Sequence, residues 1–531
     1  MQAFKKYTLS LFLFILASLQ NSYPQEVPHP IRNTGVYEFL DELASLKIIE
    51  LNSAIKPYSR LFIAERLKEA EEKKELLSSR RQKELEFYLT DFGKELNAGK
   101  DWKRRTDLLY YKDDNFSLTI NPILGGEIFG NSSGKATYWR NGAEARGYAG
   151  KWGFYASLRD NHESPLLGKP EYLTQRDGGH IKGSTDWSDM QGGVTYSWKW
   201  GNIGLVKDRV QWGDNYNGAA IFGGNNPTFV QLKLRIAPVK WFEFNYYHGW
   251  LNSMVVDSSE SYWVNNSYGT DYREVYRKKF IAANMLTFTP FKNLKLSAGN
   301  SVVYSDNNVN QAYLIPVLFY KSVDHSLTSG IDNMNSQMFF DASSRQIKNL
   351  HLYASLFIDE LSVSRFTMDD EWNFFSWKAG FRVWDLPVQN LSLTTEFTYT
   401  YPLTFQHYVP TLTFETAHYN LGHYLRDNSK EWYVALNYRP MRTMDLCLFL
   451  SDAVRGPDYT DLGTNRLGNP PLETIEWHNT SYGFKASWQI INDIYVWGSC
   501  VRSDISGDER WSPEYFYGSR NTVNGGVTVG F

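Results

Sequence analysis

From about residue 115 onward, apolar and polar positions alternate with period two, which is the signature of β-strands. In "NLHLYASLFIDE", Leu350, Leu352, Ala354, Leu356 and Ile358 share one face. His351, Tyr353, Ser355 and Asp359 share the other, with Phe357 as an apolar exception. "NLSLTTEFTYTY" sets Leu391, Leu393, Thr395, Phe397, Tyr399 and Tyr401 against Ser392, Thr394, Glu396, Thr398 and Thr400. "EWYVALNY" sets Trp432, Val434, Leu436 and Tyr438 against Glu431, Ala435 and Asn437. The closing "NTVNGGVTVGF" places Val523, Gly525, Val527, Val529 and Phe531 on one face. A terminal strand of a soluble domain tends to fray. In a closed barrel the last strand pairs with the first, because bare edges are not tolerated in lipid.

Eighteen runs of this kind fit between residues 116 and 531, from 116–129, 142–149 and 151–160 to 475–488, 493–504 and 522–531. Short turns near 150, 200, "APVK", "TPFK", "RQIK", "DLPV", "PMR" and "IIN" alternate with long connections at 130–141, 161–189, 208–227, 251–277, 304–334, 359–371, 402–430, 453–474 and 505–521. Tight turns on one side and long loops on the other are the pattern of outer-membrane barrels. "YLIPVLFY", 313–320, also reads as strand-like, but Pro316 disfavours a central strand and counting it would break the parity. It is assigned to the 304–334 loop, folded into the lumen.

Residues 31–100 carry a different period. Val36, Leu40, Leu43 and Ile48 recur at near-helical spacing, as do Ile63, Leu67 and Ala70 after a candidate Ser59 cap, and then Leu85, Leu89, Phe92 and Leu96. Ahead of them, Lys5 and Lys6 precede an apolar stretch from Leu9 to Leu19 that is too short to span a bilayer comfortably, followed by small and polar residues. This is a signal peptide in form. The expected organisation is therefore a signal peptide over 1–25, a periplasmic helical domain over 26–110 and an antiparallel transmembrane β-barrel of about eighteen strands over 111–531.

Composition agrees. The chain is rich in Tyr (35) and Trp (18) at a net charge of −3, which suits a barrel with aromatic girdles and a polar lumen and gives no electrostatic case for nucleic acid. Of two cysteines, Cys447 and Cys500, isolated buried thiols are expected over a disulfide. H-E-x-x-H is missing and there is no G-x-S-x-G elbow, since the matching "GNSSG" at 130–134 lies among strand-like runs and opens no helix; "HES" at 162–164 puts side by side in sequence what a triad needs side by side in space. Acidic Asp369, Asp370 and Glu371 read as a solvated loop, so no metal or cofactor is called for.

Three stretches resemble the Wzi-type capsule-assembly family of outer-membrane proteins. They are "GNIGLVKDRVQWGDNYNGAAIFGGNNPTFVQLKL" at 201–234, "LGHYLRDNSKEWYVALNYRPMRTMDLCLFLSDAVRG" at 421–456 and "YEFLDELASLKIIELNSAIKPYSRLFIAERLKEA" at 37–70. The first carries Arg209, the Trp212-Gly213 pair, Asn225, Asn226 and Pro227. It departs from the family pattern with Asp214 where a Pro is usual and Gly223-Gly224 where Leu-Ser is common. The resemblance implies an eighteen-stranded barrel obstructed by its own loops, with a small helical bundle. It further implies a non-enzymatic role in binding surface or capsular polysaccharide at the outer membrane of a Gram-negative bacterium.

Sugars are recognised by flat apolar faces together with Asn, Asp, Arg and Gln. Candidate contacts are Arg209, Gln211, Trp212, Asp214, Asn215, Tyr216, Asn225 and Asn226 of the 208–227 loop, Tyr262, Trp263, Tyr268 and Tyr272 of the next long loop, and Arg510, Trp511, Tyr515 and Tyr517 near the end. A structural role instead makes Arg209 a partner of lumen carboxylates and Trp212 a packing residue, and assigns the strand-end aromatics to the membrane interface. Expected partners are polysaccharide, outer-membrane lipid and the barrel-assembly machinery, with the protein a monomer. The alternative function is a porin-like channel for small polar solutes; an outer-membrane hydrolase is a third possibility.

Overall fold

The computed structural model describes residues 26–96, 104–179, 184–267, 269–327, 330–459, 466–491 and 493–530. The expected signal peptide over 1–25, Tyr268 and Phe531 lie outside them. Eighteen antiparallel strands close a barrel: β1 (Phe116–Asn131), β2 (Gly134–Ala149), β3 (Trp152–Ser164), β4 (Asp186–Trp198), β5 (Gly201–Asp208), β6 (Phe229–Val239), β7 (Phe242–Val256), β8 (Tyr276–Phe291), β9 (Leu294–Tyr304), β10 (Met334–Ser344), β11 (Leu350–Glu360), β12 (Phe374–Trp384), β13 (Leu391–Thr400), β14 (Ser429–Met441), β15 (Met444–Arg455), β16 (Trp477–Ile491), β17 (Ile494–Gly507) and β18 (Gly518–Val529). Consecutive strands pair, and β18 closes on β1 through Val523↔Gly130 to Val529↔Leu124. Among the described residues, the barrel sheet leaves no strand edge for lipid to meet.

The alternation is resolved as the sequence reading expects. On β14 Trp432 is 51% exposed on the outside while its neighbour Glu431 is 2% exposed within. On β13, Ser392, Thr394, Glu396, Thr398 and Thr400 are all buried in the lumen. Outside, Leu158, Leu205, Leu296, Phe340, Leu448, Phe484 and Val527 form an exposed apolar surface, the reverse of a soluble core and the requirement of a barrel in hydrocarbon.

Three expectations are corrected. The proposed 130–141 loop is strand: β1 and β2 run on to a turn at Ser132-Ser133, with Phe129↔Ala136 and Gly130↔Lys135 paired. The outward positions here are Lys135 and Thr137, so the apolar-outside pattern stops although the ladder does not. The hairpin stands beyond the apolar band. Second, 313–320 is neither strand nor luminal. Residues 311–314 form a 3₁₀ turn and Tyr320–Leu327 a short helix, both packed on the outer wall of the barrel. Third, Cys447 and Cys500 are both free, but not both buried: Cys447 is half-buried in the lumen and Cys500 is exposed on the outer side.

Among the described residues, three α-helices precede the barrel, α1 (Thr34–Ser45), α2 (Arg60–Glu71) and α3 (Ser79–Phe92). Val36, Phe39, Leu40, Leu43, Ile63, Leu67, Leu85 and Phe92 form their shared core. The Ser59 hydroxyl caps α2, accepting from the Phe62 N–H at 3.1 Å. α1 stops earlier than its apolar spacing suggests, with Lys47 at φ 62°; Ile48 is buried outside the helix.

These helices and the chain around them seat on the short-turn end. Every one of the short hairpins is touched. Arg146 and Tyr148 of β2 meet Asp91 (3.2 Å) and Glu95 (2.9 Å). Ser197 of β4 accepts from the Glu26 N–H at 3.2 Å. Lys240 O accepts from Asn52 at 3.0 Å, and Lys292 pairs with Glu50 at 3.3 Å. Gln346 O accepts from Lys47 at 2.7 Å, and Asp385 holds Arg81 at 2.6 Å. Arg439 pairs with Glu38, and Asp493 with Arg105. The helices therefore cap the bore through polar contacts to successive turns around the rim.

Candidate functional site

The 209–228 connection folds into the lumen instead of standing above it. Two residues of the helical region, Ile55 and Lys56, form a small antiparallel sheet with Trp212 and Gln211 in the bore. Gly213 turns the chain at φ +95° and donates to Ala54 O at 3.1 Å; a Cβ there would stand 2.9 Å from Ser355 Oγ and 3.0 Å from Asp341. Position 213 thus needs glycine for both its conformation and its space.

Beyond the turn, polar side chains cross to the far wall. Asp214 forms an ion pair with Lys295 of β9 at 2.7 Å. The backbone N–H groups of Tyr216 (2.7 Å) and Asn217 (3.0 Å) donate to the Glu396 carboxylate of β13, which also receives Tyr353 (2.5 Å) and Lys378 (2.8 Å). The Tyr216 hydroxyl donates to Asp41 of α1 and lies 2.8 Å from His351 Nδ1, while Arg382 lies 4.5 Å from its ring centre. Arg345 also holds Asp41. Burial alone would raise the Asp41 carboxyl, but the Arg345 guanidinium, assisted by His351, Arg382 and Tyr216, outweighs it and brings the group down to about 2.

An aromatic core packs beside this network. Trp212 lies 5.0 Å from Phe222, 5.5 Å from Tyr247 and 5.3 Å from Phe339, ring centre to ring centre. Phe405, Phe414 and Leu421 of the inward-folded 401–428 connection complete it. The two inward segments meet where Gly223 N–H donates to Leu421 O at 2.8 Å.

The sequence-selected residues fall into separate places. Arg209 and Trp212 are each 1% exposed and present no surface to a ligand. Arg209 is held by Asp189 and Asn226 O, both at 2.9 Å. Asn226 is buried beside it and donates to Pro227 O. Gln211, Asp214, Asn215, Tyr216 and Asn225 line one luminal cavity of about 540 Å³ with Arg32, Asp41, Arg345 and Arg382. Tyr262 and Trp263, 56% and 68% exposed, sit on a projecting hairpin (Tyr262–Asn266 with Gly269–Arg273), where Trp263 packs on Tyr272 at 5.0 Å. Trp511 is buried between Arg455 (3.8 Å) and Arg510 (4.5 Å).

Beside Trp511 a cleft of about 770 Å³ opens at the long-loop end, lined among others by Lys169, Tyr172, His418, Arg510, Tyr517 and Arg520. Of these, Lys169, Tyr172, His418 and Arg520 were missed as candidates, since three separate connections converge there. The luminal partners Lys295, Arg345, His351, Lys378 and Glu396 were also missed. Their signal was present: each is a charged or imidazole group within or beside an otherwise apolar-alternating strand.

No family model matches the sequence, and no curated protein matches it. Among solved structures, the chain is similar to Wzi of Escherichia coli, described as an outer-membrane protein involved in group 1 capsule assembly and a carbohydrate-binding β-barrel. The TM-score is 0.60 at 12% identity, covering 96% of this chain and 99% of that one. Pseudomonas aeruginosa OprD aligns at a TM-score of 0.42 and 10% identity over 79% of this chain and 95% of that one. The chain thus has the fold of Wzi, that of an outer-membrane β-barrel.

Proposed function

We propose that this protein is a non-enzymatic outer-membrane barrel that binds surface polysaccharide and supports capsule or exopolysaccharide assembly or attachment. In this reading the helices face the periplasm, the long loops face the exterior, and the barrel is a monomer inserted by the assembly machinery. The observation that carries it is the occupied bore. The helices cap one end, and the 209–228 and 401–428 connections fill the middle with an aromatic core. Function is thereby directed to the outer surface, where Tyr262, Trp263 and Tyr272 form an exposed aromatic platform and the cleft beside Trp511 offers cations, carboxylates and two tyrosines. Aromatic faces with mixed hydrogen-bonding groups suit carbohydrate. The carbohydrate binding and capsule-assembly role described for Wzi support the same reading.

The test is retention of purified surface glycan by the detergent-solubilised protein, with Trp263→Ala and Tyr262→Ala as probes. Binding is expected to weaken in both; unchanged binding in the double variant and in a Tyr172→Ala/Tyr517→Ala variant would refute the site. The alternative, a channel for small polar solutes, draws on the charged 540 Å³ cavity. It requires the luminal segments to withdraw.

A further inference from the structure

The barrel's outer wall carries polar side chains at one place where hydrocarbon is expected. The ladder row Tyr246↔Asn284↔Asn300 runs across β7, β8 and β9 on the same outward face as Leu286, Phe288 and Leu296. Asn300 lies roughly 10 Å in from the long-loop end of β9, at ~3.3 Å per residue and the usual tilt. Bare amides at that depth are costly in lipid.

They are not bare. The 305–333 connection turns back down the outside of the wall and lies over them. The Asn284 amide donates to Pro316 O (2.8 Å) and Leu318 O (3.0 Å). Asn300 donates to Asn284 (2.7 Å) and accepts from the Tyr320 N–H (2.9 Å). Tyr246 donates to Tyr313 O (2.9 Å), and outward His248 is met by the Tyr304 hydroxyl (2.8 Å). Within the strap, Ala312, Tyr313, Ile315, Leu318 and Ser322 find acceptors for their N–H groups, and Pro316 has none to satisfy. Irregular backbone is tolerated at membrane depth only when its polar groups are satisfied in this way.

The strap buries Tyr313 and Tyr320 against Phe244, Phe280, Ala282, Val302 and Tyr304, and turns Leu314, Ile315, Val317 and Phe319 outward. Val317 is 75% exposed. This apolar face continues the exposed wall of Leu286, Phe288, Leu296 and Phe340. Two positions beyond Phe280, on the same outward face, Lys278 is exposed and donates to Asn307 O at 2.7 Å.

We infer that the 309–320 strap is a lipid-binding element embedded in the bilayer leaflet on the long-loop side. Its Ile315, Val317 and Phe319 contact acyl chains, and Lys278 stands at the level of the lipid phosphates. Asn284 and Asn300 act as adapters that neutralise the strap's backbone.

The test places a nitroxide on a single cysteine at Val317→Cys in the full barrel carrying Cys447→Ser and Cys500→Ser, reconstituted in phospholipid bilayers. Phe288→Cys serves as the lipid-facing reference and Ser258→Cys as the aqueous one, with folding checked by heat-modifiable gel mobility. At position 317, oxygen accessibility equal to that at 288 and at least fivefold less collision with a water-soluble nickel relaxant than at 258 are expected. Nickel accessibility equal to that at 258 would overturn the inference by placing the strap in water. Shielding from both oxygen and nickel would overturn it as well, since a second copy or another protein would then cover the strap.

Discussion

Asp214, on a segment descending from the long-loop end, forms an ion pair with the ammonium of Lys295 on β9 at 2.7 Å inside the barrel. The segment is therefore pinned to the wall by a buried ion pair. Removing one partner of such a pair leaves an uncompensated buried charge and typically costs 3–5 kcal/mol, more than the pair itself contributes.

Lys295→Met leaves Asp214 with Arg345 at 3.7 Å and is accordingly expected to destabilise the protein by at most about 3–5 kcal/mol, with the Asp214→Asn/Lys295→Met double variant recovering a substantial part of that loss. The temperature of the heat-modifiable gel shift reads this directly. Equal stability of the single variant and the parent would mean the pair anchors nothing.

The filled bore predicts low conductance. In planar bilayers the intact protein is expected to show only small or rare openings. Replacing 214–224 alone with a short Gly/Ser linker should leave conductance low, and replacing 214–224 and 404–424 together should raise it, because Phe222 shares the luminal core with Phe405, Phe414 and Leu421. A large, reproducible conductance from the parent would support the channel alternative.

Trp212 and Trp263 should separate in effect. Trp212→Ala empties a buried aromatic site at a cost of about 3–5 kcal/mol in stability. Trp263→Ala lies on an exposed hairpin and should leave stability within about 0.5 kcal/mol. It is expected to weaken glycan binding by about 1 kcal/mol, roughly fivefold in Kd. Paired melting and glycan-retention measurements check both halves.

Asp41 sets a pH window. Its folded carboxyl is depressed to about 2, below the ordinary value near 3.9. The ionised form is thus favoured by folding, so its contribution is complete above the unfolded value and lost as pH falls from about 4 to 2, on the order of 2 kcal/mol. Asp41→Asn should flatten the stability profile in that window while leaving the profile between pH 6 and 8 parallel to the parent's. A parent profile as flat as the variant's between pH 4 and 2 would contradict the assignment.

The barrel was legible because membrane strands write both faces into the sequence. Leu352 and Leu436 face outward and His351 and Ala435 inward, as alternation alone places them. Legibility ended where the outside changed solvent. At Lys135 and Thr137 the ladder continues past the apolar band, so a solvated hairpin reads as a loop. The strap was misplaced for a related reason: Tyr313, Val317 and Tyr320 present an apolar pattern that fits a lumen as well as an outer wall. Only the amides of Asn284 and Asn300, remote in sequence, decide the side. Within the site, the polarity of Asp214 and Tyr216 was plain, but their partners on β9, β11 and β13 exist only once the wall has curved round. Side-chain chemistry that suits sugar hydroxyls equally suits Lys295 and Glu396.

Gly223 and Gly422 touch backbone to backbone, so close that a methyl group on Gly223 would stand 2.5 Å from the Gly422 oxygen. Neither segment has a side chain there to swing aside, and each blocks the other's exit. Passage through this barrel could not be governed by a single flap. Both inner segments would have to leave in concert, as an interlocked bolt rather than a hinged door.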